Sequence, residues 1–308
     1  MALMHFRLAL SFLLLSMLVL PMIAVAQEPT DASGDEPERV HPLFDAGKLL
    51  ATGGVSQVEG AGGGGLATWA VIGGYGTNEG IGVTVHETFI GLRSFDLNSA
   101  GIAVGLYDRV ELSYAHQTFD TLDTGVALGL GRNFKFDEEV YGAKLRLCGR
   151  LVYDQSSWLP QTAVGVEYRS NDRPDILKAV GAQDANGVDF YAAATKLVLA
   201  ESVLVSGAVR FTRANQFGIL GFGSAAHSDY QPEFEGSLAY LISQHVAVGA
   251  EYRTKPDNLG FAEQNVYDLF AAYFINKHAS VTLAYVDLGT IATRRDQNGV
   301  FASLQLGL

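Results

Sequence analysis

The sequence predicts an all-β fold, a transmembrane antiparallel up-and-down β-barrel of about 14 strands with 12 as the alternative, from three observations. From about residue 100 onward, segments that change character at every position are joined alternately by very short and by long polar connections. These segments run about nine to twelve residues, the length a tilted strand needs to cross hydrocarbon, whereas soluble strands average about five or six. The chain also opens with the pattern of an export signal.

Taken in order, residues 1–26 hold Arg7, a mostly apolar run from Leu8 to Leu20, and Ala24-Val25-Ala26 ahead of Gln27, which predicts a signal peptide cleaved after Ala26. The run is too short for a spanning helix, and no later stretch reaches the roughly 18 consecutive apolar residues that one needs. Such a chain enters a membrane as a closed barrel, because hydrocarbon holds no water to satisfy open strand edges. Residues 27–43 are polar, acidic and proline-bearing and read as a disordered leader. The barrel is expected over 44–308. The single cysteine, Cys148, excludes an intramolecular disulfide, so stability rests on strand pairing and burial. The net charge of -12 becomes about -13 once Arg7 leaves with the signal. That acidity excludes nucleic acid as a partner, since phosphate binding needs clustered Lys and Arg.

Thirteen segments alternate, at roughly 66–76, 81–92, 100–107, 109–119, 139–153, 158–170, 187–200, 202–213, 232–243, 245–254, 264–275, 279–289 and 299–308. Bacterial single-chain barrels have even counts. A further strand from about Phe44 to Gly53 gives fourteen, the preferred number, and loss of a weak segment gives twelve. Gly60–Gly65 is poor strand material, and Leu43–Gly65 folded into the lumen as a small plug is the other use of that stretch. Short turns at Asp108, Asp154–Ser157, Glu201, Gln244 and Asn276–His278 belong on the periplasmic side, and the long connections outside.

The faces separate cleanly. Val246, Val248, Ala250 and Tyr252 share one side of their strand, and Ala247, Gly249, Glu251 and Arg253 the other. In a membrane barrel the oily side meets lipid and the charges meet the lumen. Tyr107, Tyr153, Trp158 and Phe274 near the short turns, and Phe119, Tyr141, Tyr168, Phe211, Tyr252, Phe261, Tyr267 and Tyr285 near the long loops, predict two interfacial girdles.

The charged positions assigned to the lumen are Glu111, Lys144, Arg146, Arg150, Glu167, Arg169, Arg210, Glu251, Arg253 and Asp268. They form either a pore wall that sorts solutes by charge or opposed pairs that fill a closed interior. Basic members on neighbouring segments favour anions in an open pore. The loop Arg213–Tyr230 has an apolar, glycine-rich middle that either folds inward as a constriction or stays outside.

Catalytic and metal signals are weak. His86/Thr88 and His116/Thr118 put both side chains on one strand face, yet the nucleophile would be Thr and no third group is identifiable to orient the His. His227-Ser228-Asp229 reads as a solvated loop. Asp184–Asp189 and Asp296–Gly299 lack the ligand set of a calcium loop, and the glycine run is followed by neither Lys-Ser nor Lys-Thr.

GGVSQVEGAGGGG at 53–65, VGLYDRVELSYAHQ at 104–117, TRANQFGILGFG at 212–223, AVGAEYRTKPDNLGF at 247–261 and YDLFAAYFINKHASVTLAYVDLG at 267–289 resemble the proteobacterial family of domain of unknown function 3034. The resemblance implies an exported outer-membrane protein and carries no activity. The expectation is a barrel in outer-membrane lipid, inserted by the barrel-assembly machinery, with no enzymatic chemistry and no cofactor or metal. It would act as a passive channel or small-solute uptake pore, or alternatively as a non-conducting surface barrel whose external loops bind a ligand or partner.

Overall fold

The computed structural model describes residues 43–308 apart from Asp45 and Tyr153. The expected signal peptide, nearly all of the expected leader, and Tyr153 of the expected girdle therefore lie outside the described residues. Twelve strands close into one antiparallel barrel. They are β1 (Ile81–Leu92), β2 (Asp96–Leu106), β3 (Val110–Asp120), β4 (Lys135–Cys148), β5 (Gln161–Asn171), β6 (Asn186–Val198), β7 (Val203–Thr212), β8 (Gln231–Leu241), β9 (Val246–Arg253), β10 (Val266–Asn276), β11 (Ala279–Asp287) and β12 (Asn298–Gly307). Each pairs with its neighbour in sequence, and β12 closes the ring on β1 from Gly299 opposite Leu92 to Gly307 opposite Thr84.

The count is twelve, the alternative number, and the preferred fourteen is corrected. Residues 66–76 form no barrel strand, and neither does Phe44–Gly53. The stretch from about 46 to 76 instead climbs into the lumen from the short-turn rim, turns over near Glu59 and descends again, with most of it buried. A two-residue ladder, Val55–Ser56 against Gly62–Gly63, braces its turn. The plug thus reaches beyond Gly65 and includes the segment 66–76. An eight-stranded barrel is filled by its own side chains, whereas twelve strands enclose room for a further length of chain.

The outside of the barrel is oily. Leu112, Leu145, Val164, Val205, Leu238, Leu269 and Leu283 are all exposed, while Glu111, Lys144, Glu167, Arg169, Arg210 and Glu251 on the opposite faces of the same strands, or of their neighbours, are buried. This inversion of a water-soluble protein is what lipid outside and an enclosed polar interior require, so the chain spans a membrane as strands, in the manner of an outer-membrane barrel. Tyr141, Tyr168, Phe211, Tyr252, Tyr267 and Tyr285 are exposed near the long-loop rim, and Tyr107 and Trp158 near the other. Phe119 and Phe274 leave the predicted girdles: both are buried, Phe119 stacked on Phe95 with ring centroids 5.0 Å apart.

One register shift corrects a predicted site residue. A bulge between Arg146 and Cys148 ends the β4 alternation. Cys148 is consequently exposed rather than inward, and Arg150 lies beyond the strand, exposed in the turn.

The plugged lumen as candidate functional site

A closed ring has no free edge, so a chain inside it cannot join the ladder, and the peptide groups it does not pair within itself must find side-chain partners. The wall supplies them. Glu111 accepts from the backbone N–H of Gly62 (3.1 Å) and Gly73 (2.6 Å). Glu251 accepts from Leu66 (2.7 Å) and Ala67 (3.2 Å), and Glu235 from Thr68 (2.6 Å). Lys144 donates to the carbonyls of Gly62 (2.6 Å) and Val71 (2.9 Å), and Gln161 to that of Ala70 (2.7 Å). Trp69 in the plug donates its indole N–H to Ser237 (2.8 Å). Bonds of this kind to charged groups contribute about 1.5–3 kcal/mol each, more than neutral ones.

The glycine run now has a physical reason. A Cβ on Gly64 would stand 1.6 Å from Glu251 Oε1, and one on Gly62 2.8 Å from Gly73. Only a bare backbone comes this close to the wall carboxylates.

Near the turn of the plug the charges converge. Arg253 meets Glu59 of the plug at 2.6 Å, and Arg169 meets the same oxygen at 3.3 Å. Arg169 also holds Glu167 (2.7 Å) and Asp189 (3.4 Å), with Glu138 at 3.9 Å. Arg210 bridges Glu167 and Glu235, each at 2.6 Å. Five carboxylates thus surround three guanidiniums. Burial would raise the Glu59 carboxyl, but Arg253, Arg169 and Arg210 hold it down at about 2. At the foot of the plug Lys48 pairs with Asp108 of the β2–β3 turn at 2.8 Å, and burial lowers its ammonium against the pull of that carboxylate.

Of the ten predicted lumen residues, Glu111, Lys144, Glu251, Arg169, Arg210 and Arg253 grip the plug directly, and Glu167 joins the charge cluster through Arg169 and Arg210. Asp268 stands opposite Glu251 across the β9–β10 ladder. Arg146 lies at the short-turn rim, 3.0 Å from Asp108. Arg150 alone is outside. Sequence reasoning missed Glu59, Glu138, Asp189 and Glu235. The wall members were visible in principle by alternation, since Glu235 pairs directly with Arg253 in register. Glu59 carried no such signal, because nothing in a glycine-rich stretch announces what it will face. These added carboxylates also offset the expected lean toward anions.

The upper mouth is narrowed by the Arg213–Tyr230 loop, which folds inward at its start: Asn215, Gln216, Gly218, Ile219 and Leu220 are buried. Arg169 donates to the Phe217 carbonyl, and Lys255 to Gln216 Oε1 at 3.0 Å. Burial lowers the Lys255 ammonium and raises the Glu263 carboxyl that it meets at 3.2 Å.

The His-x-Thr pairs fall on opposite faces. His86 and Thr88 are buried inside, Thr88 against Ser303 at 2.8 Å. His116 and Thr118 face outward; Glu139 lies 2.8 Å from His116 Nδ1, and Thr118 Oγ1 lies 3.3 Å from Nε2. A third group is therefore present beside His116. Thr118, however, donates to Asp137 at 2.7 Å, which takes its hydroxyl proton away from the imidazole. Among the described residues no cluster of His, Cys, Asp and Glu is arranged to hold a metal ion.

Residues 52–305 match the family model described as protein of unknown function, DUF3034. Comparison with curated proteins gives no match. Among solved structures the chain is similar to the KdgM porin, with a TM-score of 0.48 and 10% identity over 72% of this chain and 98% of that one. It is similar also to the NanC porin (0.44, 8%, 72% and 97%) and to outer membrane phospholipase A from Escherichia coli (0.41, 11%, 73% and 92%).

Proposed function

Because the chain belongs to the DUF3034 family, whose description names no activity, its role is read from its own interior, and we propose an outer-membrane channel for small solutes that its N-terminal segment keeps closed at rest. One observation carries this reading. Among the described residues the stretch leading into the plug meets the barrel ladder at one bridge, Phe44 to Ile81, and the plug is otherwise held by side-chain hydrogen bonds and ion pairs. It can leave the lumen without unzipping a strand. The vacated wall is polar through the lower and middle barrel, where Glu111, Lys144, Glu235 and Glu251 would then meet water.

The test is conductance in planar bilayers of the full chain against a variant lacking residues 46–76, with heat-modifiable gel migration to establish that both barrels are folded. The full chain should rest closed, and the shortened one should conduct steadily. A folded, plug-free barrel that passes no current would overturn the proposal and favour a barrel that only displays its loops.

A further inference from the structure

Above the turn of the plug the lumen changes character. Inward-facing Ile90, Leu92, Phe119, Val266, Val286 and Phe301 belong to one buried apolar cluster, where the lumen of a water-filled porin would be polar. A chamber lies within it, between the plug and the inward-folded loop. Leu66 of the plug, Leu97 and Phe119 of the wall, Phe217 and Ile219 of the loop and Ile291 of the last connection line it.

The polar groups of that chamber are mostly committed. Gln117 donates to the Val58 carbonyl (2.9 Å), Gln216 donates to Thr290 O (2.8 Å) and accepts from Lys255, and Arg253 donates to Glu59 and to Leu66 O. Glu59 is the exception. Glu59 is buried and lines the chamber, and its Oε2 has no hydrogen-bond partner among the described residues. A buried acceptor left in this state is costly, and a ligand that donates to it recovers that cost. An anion gains nothing here, because the three guanidiniums are already matched by the carboxylates of Glu59, Glu167 and Glu235.

We propose that this chamber is the solute-binding site of the channel and that it takes a small, mainly apolar molecule carrying one hydrogen-bond donor, of the phenol or alkyl alcohol class. The inference rests on the channel reading above and narrows its cargo. Because Glu59 is also the plug's link to Arg253 and Arg169, a donor on Oε2 draws charge from those ion pairs, and occupancy loosens the plug.

The probe is 4-fluorophenol, followed by fluorine NMR with the full chain in lipid nanodiscs. Saturable binding is expected, at least tenfold tighter than that of 4-fluoroanisole, which has the same ring without a donor, and of 4-fluorobenzoate, which is an anion. Ile291→Trp and Leu97→Trp, which fill the chamber without touching the charge cluster, should weaken binding at least tenfold while bulk partition into lipid is unchanged. Equal binding of phenol, anisole and benzoate, or no saturable binding at all, would overturn the proposal. Where both filled variants fail to fold, the ligand series on the unaltered protein still decides. Conductance of the plug-free barrel is independent of this outcome, so either reading can fail alone.

Discussion

Glu59 concentrates the logic of the interior in one side chain. It sits on the plug, its partners sit on the wall, and its ionised form is what joins them. Its carboxyl lies near 2 when docked against an ordinary value of 4.5, so the docked state is favoured by about 3 kcal/mol wherever the group is ionised in both states. The sign follows from the lowered value: that contribution is complete above about 4.5 and is lost as pH falls from there through about 2. Acrylamide quenching of Trp69 in a Trp158→Phe background should stay flat from neutral pH to about 5 and rise below 4.5. Quenching that is unchanged down to pH 2 would show that this ion pair does not hold the plug.

Among the elements, the inward-folded loop bears visible strain. Gln216 and Phe217 adopt consecutive left-handed conformations (φ 48 and 60), each costing about 1–2 kcal/mol for a residue with a Cβ. Hydrogen bonds to Gln216 and the Arg253 guanidinium, 4.4 Å from the Phe217 ring centroid, hold them there. Phe217→Ala in the plug-free barrel should roughly double single-channel conductance, because the ring stands in the mouth of the path; unchanged conductance would place the narrowest point elsewhere. Strands were more legible than this loop. Twelve of the thirteen alternating segments became strands, because lipid on one side and water or charge on the other imposes a period of two that no other element mimics. Segment 66–76 misled because its apolar residues, Trp69, Val71 and Ile72 among them, are buried within the lumen instead of facing lipid. Hydrophobicity reports removal from water and not the side from which the water was removed. Nine of the ten charges assigned to the lumen are buried, and alternation made them legible as it did the strands; Arg150 is exposed because a bulge at Arg146–Cys148, invisible in the pattern, ends the strand before it.

At the scale of the whole molecule, the barrel is a shell whose outside answers to lipid and whose inside answers to residues 46–76 of the same chain. Leu283, exposed midway along β11, tests the shell: Leu283→Arg should destabilise the protein by about 2–4 kcal/mol in urea titrations from lipid vesicles. A cost near zero would mean that this face does not meet the hydrocarbon centre. The seam between β1 and β12 has a consequence for how the molecule is made. The segment that fills the lumen is synthesised before any staves of the cask, yet its anchoring points are spread from Glu111 on β3 through Glu251 on β9 to Gln305 on β12, which accepts Ser56 at 2.9 Å. Its berth is therefore finished only when the last stave arrives, and the piece made before the staves is the last to be seated.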